Sequence, residues 1–221
     1  MFLVVAATDF ELEPARKNLA AARNVAFLVS GVGPVEAAFA LTRYLALHQD
    51  VAAVVNVGVA GAYPGGGLDL LDIGLARREI LADFGICHGE WIEALSGETM
   101  TINREFSLDN QLFVESRRII ELEHLPCGSG TFVTVNCTSG TARRGAYLRN
   151  SCNAICENME GAALARVCLG FGVDMVEMRC VSNMVEDRDP ATWRLRDACE
   201  TAGDAVARLV RGLSDVALSH R

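Results

Sequence analysis

No run of apolar residues in this chain approaches the roughly 20 that a membrane-spanning helix needs. The apolar start, Phe2-Leu3-Val4-Val5-Ala6-Ala7, lacks a basic region and is too short for the core of a secretory signal. These two absences lead us to expect a cytoplasmic protein with no membrane partner. Positive charge is scarce as well. Twenty Lys and Arg face 28 Asp and Glu, for a net charge of -8. Without a basic stripe to displace phosphate counterions, nucleic acid is excluded as a partner. The densest basic cluster, Arg143-Arg144 with Arg149, is short and reads as a solvated face. None of the eight cysteines forms a CxxC pair. The best metal candidates are Cys87-His88 and His124 with Cys127, but their spacing matches no common zinc site, so no metal is expected. Cys168 and Cys180 sit in apolar runs as small hydrophobes, and free thiols in a reducing compartment are expected. Composition breaks, linkers and repeats are missing too, so residues 1–221 read as one domain.

What the chain does have is core. Hydrophobic residues make up 51% and charged residues 22%, enough to bury a large interior. Short β-rich runs alternate with helical patterns from end to end. Strands are expected over 2–7, 25–29, 51–57, 70–75, 80–82, 131–137, 154–156 and 173–181. Helices are expected over 9–22, 35–48, 108–123, 141–150, 160–171 and 195–218. Asp9 is the expected cap of the first helix, with Pro14 tolerable only in its first turn. Pro34 suits the first position of the second helix. In the last helix Leu195, Ala198, Ala202, Val206, Leu209 and Leu213 fall on one face. The stretch 85–104 is the least regular, with long loops and one strand. This alternation predicts a single α/β domain around a mostly parallel sheet.

Ligands of such sheets gather at the carboxyl ends of the strands. The candidate polar residues fall there: Glu11 after the first strand, Ser30 after the second, Asn56 to Gly58 after the third and Asn183 after a late one. The most telling stretch is Glu157-Asn158-Met159-Glu160-Gly161-Ala162-Ala163, followed by Arg179-Cys180-Val181-Ser182-Asn183. It sets an acid where a polyol sugar can be held and an amide where a hydrogen-bonding ring can be held.

Five motifs in register resemble the nucleoside phosphorylase/nucleosidase superfamily on its hydrolase side. Ala6-Ala7-Thr8-Asp9-Phe10-Glu11 resembles the opening loop of the methylthioadenosine/adenosylhomocysteine nucleosidases. Ser30-Gly31-Val32-Gly33 resembles their S-G-[IV]-G turn, and Asn56-Val57-Gly58-Val59-Ala60-Gly61 their N-T-G-x-A-G. Met159-Glu160 matches the pair that holds the ribose hydroxyls, and Arg179 to Asn183 matches R-x-[IV]-S-D. The resemblance implies a three-layer α/β/α fold with a twisted, mixed, mostly parallel sheet, a homo-oligomer and no cofactor. It implies Glu11 as base for the attacking water, with Ser30, Gly58, Met159, Glu160 and Arg179 around ribose and water. The backbone near Thr138 would lie at the base edge.

One departure is informative: Asn183 stands where adenine-specific members carry Asp. An amide has two donor hydrogens and one acceptor. Hypoxanthine presents two acceptors, N7 and O6, so Asn183 favours a 6-oxopurine over adenine. The acid–amide pattern, with Asp187-Arg188-Asp189 and Trp193 after it, resembles the futalosine hydrolases of the superfamily. Their substrate is an inosine with a benzoate-bearing 5′ chain. The expected reaction is hydrolysis of an N-ribosidic bond through a cationic sugar. Glu160 would stabilise that cation, and Asn183 would hold the leaving base. An anionic 5′ group would want a cation; Arg104 is one candidate.

Three other readings compete. A purine nucleoside phosphorylase needs an anion site, but Glu11, Asn56 and Val59 stand where such enzymes place Arg, Arg and Ser. An adenine nucleosidase is disfavoured by Asn183. A non-catalytic nucleoside binder would have no use for both Glu11 and Glu160.

Overall fold

The computed structural model describes residues 1–89, 91–95 and 102–219, the last four as backbone only. Part of the irregular stretch 85–104 therefore lies outside the described residues. Among the described residues, ten strands and six α-helices follow in order: β1 (Phe2–Ala6), α1 (Asp9–Asn18), β2 (Val25–Val29), α2 (Pro34–Leu47), β3 (Ala53–Ala62) and β4 (Ile73–Leu81). They continue with β5 (Ile86–His88), β6 (Trp91–Glu93), β7 (Glu105–Ser107), α3 (Gln111–Leu122), β8 (Cys127–Thr134), α4 (Ala142–Cys152) and β9 (Ala154–Asn158). Last come α5 (Gly161–Phe171), β10 (Asp174–Met184) and α6 (Leu195–Ser219).

Eight strands form one mixed sheet in the order β10-β4-β8-β9-β3-β1-β2, with β7 beside β4; β5 and β6 form a separate hairpin. Two layers of helix cover it. The helices α1, α3 and α6 bury Leu12, Phe113, Ile120, Val206 and Leu209 against one face. On the other, α2 and α5 bury Leu41, Leu45, Leu164 and Cys168. The central sheet flanked by helices is the fold class expected from the sequence.

The sheet is more closed than an open α/β sheet. Strand β10 pairs with both β4 and β3, so β3, β10, β4, β8 and β9 close a ring. Long strands make this possible. The first half of β3 pairs with β1, and its end, Gly61 and Ala62, pairs with β9. The third strand was expected to stop before Gly58-Val59-Ala60-Gly61; instead it runs through them. Register shifts between Val181 and Asn183, between Ala76 and Arg78, and between Thr131 and Phe132 bend the ring.

Other boundaries differ for local reasons. Thr8, not Asp9, caps α1: its hydroxyl accepts from Glu11 N at 3.2 Å, and the Glu11 carboxylate accepts from Thr8 N at 3.1 Å. Pro14 sits inside α1 rather than in its first turn, and the helix ends at Asn18 instead of reaching residue 22. The strands expected over 70–75 and 80–82 are parts of one strand, β4, which runs from Ile73 to Leu81 and leaves 70–72 and 82 outside it. The strand expected over 131–137 starts earlier, as β8. Pro34 opens α2 as foreseen, behind Gly33 at φ 90°, a left-handed conformation open to glycine. Of the six residues on the face foreseen for α6, five are buried and Leu195 is exposed.

Candidate active site

A cavity opens where β1, β3, β9 and β10 end. Its wall includes Glu11, Thr138, Met159, Glu160, Arg179 and Asn183. Six of the eight site residues foreseen from the sequence thus share one cavity. The other two stand behind the wall. Ser30 is buried, and its hydroxyl donates to Ala6 O at 3.3 Å and Gly31 O at 3.1 Å, tying the ends of β1 and β2 together. Gly58 leaves room: a Cβ there would lie 2.7 Å from Arg179 Nη1 and 2.8 Å from Glu11 Oε1. Only a glycine lets these two side chains approach over β3.

The acidic end of the cavity is built from helix starts. The capping box of α1 fixes Glu11 at the mouth of β1. Its Oε2 accepts from the Thr8 hydroxyl at 2.9 Å, and its Oε1 accepts from Val59 N at 3.2 Å. Glu160 occupies the cap position of α5 but makes no cap bond. Its carboxylate turns to the cavity, where Oε1 accepts from Gly33 N at 3.0 Å and Oε2 lies 3.4 Å from Arg179 Nη2. Burial raises the Glu160 pKa, against the lowering effects of Arg179 and the Gly33 hydrogen bond.

Arg179 is buried on β10. Its Nε donates to Glu177 Oε1 at 2.9 Å, and Nη1 and Nη2 reach Val59 O at 3.4 Å and Asn158 Oδ1 at 3.5 Å. Burial alone would lower its pKa, but Glu177, then Glu160 and Glu11, raise it further above its ordinary value. Two carboxylates form ion pairs with Arg179. Glu160 is one; Glu177 makes the shorter contact and was missed. The signal was present, since Glu177 and Arg179 are two apart in a strand and share a face.

The opposite end carries the amide. Asn183 is half-buried; its Oδ1 accepts from the Ser182 hydroxyl at 2.9 Å and its Nδ2 donates to Met184 O at 3.3 Å. One amide hydrogen is left for the cavity. A double donation to N7 and O6 would require the Met184 contact to be released. Nearby, Glu157 is held by Ser139 N and Oγ, each at 2.7 Å, and by the Tyr63 hydroxyl at 2.9 Å. Trp193, unplaced from the sequence, lines the cavity with Arg188, whose guanidinium lies 4.6 Å from its ring centre. Arg104 is not on the wall; Arg188 is the cation found there besides Arg179.

A ring of mixed strands with a carboxylate-lined cavity at its open end describes a class of proteins that comparison identifies. The sequence model of the phosphorylase superfamily matches residues 13–214, and the chain belongs to that superfamily. Futalosine hydrolase from Thermus thermophilus is 38% identical over 192 residues, covering 83% of this chain and 80% of that protein. The 5′-methylthioadenosine/S-adenosylhomocysteine nucleosidase of Bacillus pumilus is 27% identical over 195 residues, covering 86% and 81%. Among solved structures, the Helicobacter pylori nucleosidase of that name, bound to butyl-thio-DADMe-Immucillin-A, superposes with a TM-score of 0.83. That match spans 95% of this chain and 97% of the other at 18% identity, a likeness of fold.

Proposed function

We propose that this protein hydrolyses the N-ribosidic bond of futalosine, releasing hypoxanthine and dehypoxanthine futalosine, a step of the futalosine route to menaquinone. The observation that carries the reading is the Asn183 amide. With Oδ1 engaged by Ser182, the group offered to the base is an N–H donor. A 6-oxopurine accepts there at N7 or O6, whereas the adenine amino group would meet a second donor. The stronger likeness to a futalosine hydrolase than to the adenine nucleosidases supports the same choice.

The reaction follows from the two ends of the cavity. Glu11 orients the attacking water and takes its proton as general base. Glu160 accepts hydrogen bonds from the ribose hydroxyls, and its charge stabilises the cationic sugar in a site with little water. Asn183 cannot give up a proton; it steadies the departing base by hydrogen bonding, and hypoxanthine leaves as a comparatively stable anion. Met159 packs on the sugar, and the backbone at Thr138 lies along the base. Arg188, stacked on Trp193, supplies a cation for the anionic 5′ group.

We read the chain as one domain working in the cytoplasm as a homo-oligomer. Val32, Val35 and Phe39 are 55%, 78% and 60% exposed around the start of α2. Val32 also lines the cavity, so a second copy covering this patch would help close the site.

Chromatography of the products formed from futalosine tests the proposal. Hypoxanthine released without added phosphate is the expected result. Strict dependence on phosphate would make the protein a phosphorylase. Binding without release would make it a nucleoside-binding protein.

A further inference from the structure

Below the cavity floor lie ionisable groups that the proposed reaction does not use. Among the described residues five carboxyls are buried, those of Glu11, Glu79, Glu157, Glu160 and Glu177, against one buried guanidinium, Arg179. Glu79 on β4 and Glu177 on β10 are fully buried. Gly161 opens α5 directly above them. A methyl group on Gly161 would collide with Glu79 Oε1 and with both oxygens of Glu177, so the two carboxyls meet at one point under the helix start.

Their partners differ. Glu79 Oε2 accepts from the Thr134 hydroxyl at 2.8 Å and its Oε1 accepts from Asn158 Nδ2 at 2.5 Å. Glu177 Oε1 accepts from Arg179 Nε at 2.9 Å, while Oε2, equally buried, has no donor. Two ionised carboxylates in this contact would repel each other without water between them. A proton on Glu79 Oε1 removes the conflict. It gives Glu177 Oε2 its missing donor, and the acid oxygen still accepts from Asn158. Burial first, then the charge of Glu177, holds the Glu79 carboxyl well above the usual range, and the hydrogen bond between the two acts the same way.

We propose that Glu79 and Glu177 share one proton, and that this acid pair is a positioning unit for Arg179 and Glu160. Arg179 is reached directly through Glu177. The route to Glu160 runs through two residues that Glu79 anchors. Asn158, held by its Nδ2, accepts at Oδ1 from Glu160 N at 3.0 Å and Gly161 N at 2.8 Å. Thr134, held by its hydroxyl hydrogen, accepts from Ala162 N at 2.7 Å. Together they satisfy the first free N–H groups of α5 and set the angle at which Glu160 enters the cavity. With the proton lost, a second negative charge beside Glu177 would draw the guanidinium away from Glu160.

The surroundings fix the sign of the pH effect. Around the pair, Cys156 of β9 faces both carboxyls, while Arg179 of β10 and Glu160 at the head of α5 face Glu177. The only cation among them is Arg179, already paired. A carboxyl whose pKa is raised by folding holds its proton more tightly folded than unfolded. Its contribution to stability is full below the ordinary carboxylate range and falls as pH rises through the raised value. Turnover should therefore fall on the alkaline side as the pair loses its proton.

Infrared spectroscopy and two variants of the full-length protein test the pair. The wild type should show a protonated-carboxyl band at neutral pH that both Glu79→Leu and Glu177→Gln remove; any contribution from Glu160 would persist in all three. Glu177→Gln supplies the shared hydrogen permanently, since its amide donates to Glu79 and its oxygen remains on Arg179. Its kcat, scaled to its own value at neutral pH, should lack the alkaline loss. In Glu79→Leu the α5 anchors are released, and kcat should fall on the order of 10²-fold with KM little changed. Absence of a wild-type band that Glu177→Gln removes would overturn the proposal, as would an alkaline loss unchanged in that variant. The kinetic arm rests on the hydrolase reading and the infrared arm does not. A band without hydrolysis would refute the substrate and leave the shared proton standing, and the wild-type spectrum is informative even if a variant fails to fold.

Discussion

The two ends of the cavity are built by opposite rules. At the ribose end, Glu11, Glu160 and Arg179 are buried, and each is held by at least two hydrogen-bond partners from different strands and loops. At the base end, Asn183 is half-buried and bonds only to its chain neighbours Ser182 and Met184, while Arg188 lies exposed on the loop after β10. The first arrangement preorganises charge, which is what stabilising a cationic sugar requires. The second presents hydrogen-bond chemistry from the last residues of β10 and the loop after it, where a few substitutions can rewrite it without disturbing the core. On the proposed function, reaction type would be carried by the rigid end, and choice of base and 5′ group by the other.

Substitutions at the rigid end should break this division most severely. Arg179→Met leaves Glu177 and Glu160 buried without their cation, an arrangement that typically costs roughly 3–5 kcal/mol. Denaturant unfolding should show that loss, and no hydrolysis should be measurable on any nucleoside. Glu11→Gln keeps the shape and removes the base. Its kcat should fall by roughly 10²–10⁴ with nucleoside binding retained, as equilibrium binding beside turnover would show. A fall in affinity alone would point to a binding protein. The smallest effect belongs to the exposed loop. Arg188→Ala loses one charge-assisted contact, so KM for futalosine should rise about tenfold. KM for inosine, which lacks the anionic 5′ group, should barely move, and an equal rise for both would remove Arg188 from the 5′ group.

Much of this division was legible in the chain. The strand ends and helix starts carried their own signals: Pro34 behind two glycines, an acid three residues after Thr8, and Met159-Glu160 before an apolar helix. It was the five motifs resembling the superfamily, set on those patterns, that gathered Glu11, Glu160, Arg179 and Asn183 into one site, and the structure brings the four to one cavity. Features that depend on distant strands were not legible. Closure of the ring, which carries β3 through Gly58 to Gly61, is set by pairings with β9 and β10. Glu79 reads as one more polar residue beside Arg77 and Arg78, because its partners, Asn158, Thr134 and Glu177, lie far along the sequence. Arg104 was a guess from charge alone, and no local pattern tied it to the strand ends.

The central claim, that the base end chooses the base independently of the rigid end, is tested most directly by Asn183→Asp. The measurement is kcat/KM for wild type and variant on futalosine and on methylthioadenosine, both without phosphate. The account predicts that wild type releases hypoxanthine and almost no adenine. In the variant the preference for hypoxanthine should shrink on the order of 10²-fold or more, because Asp accepts from the adenine amino group. Adenine release by the wild type, or an unchanged ratio in the variant, would contradict it.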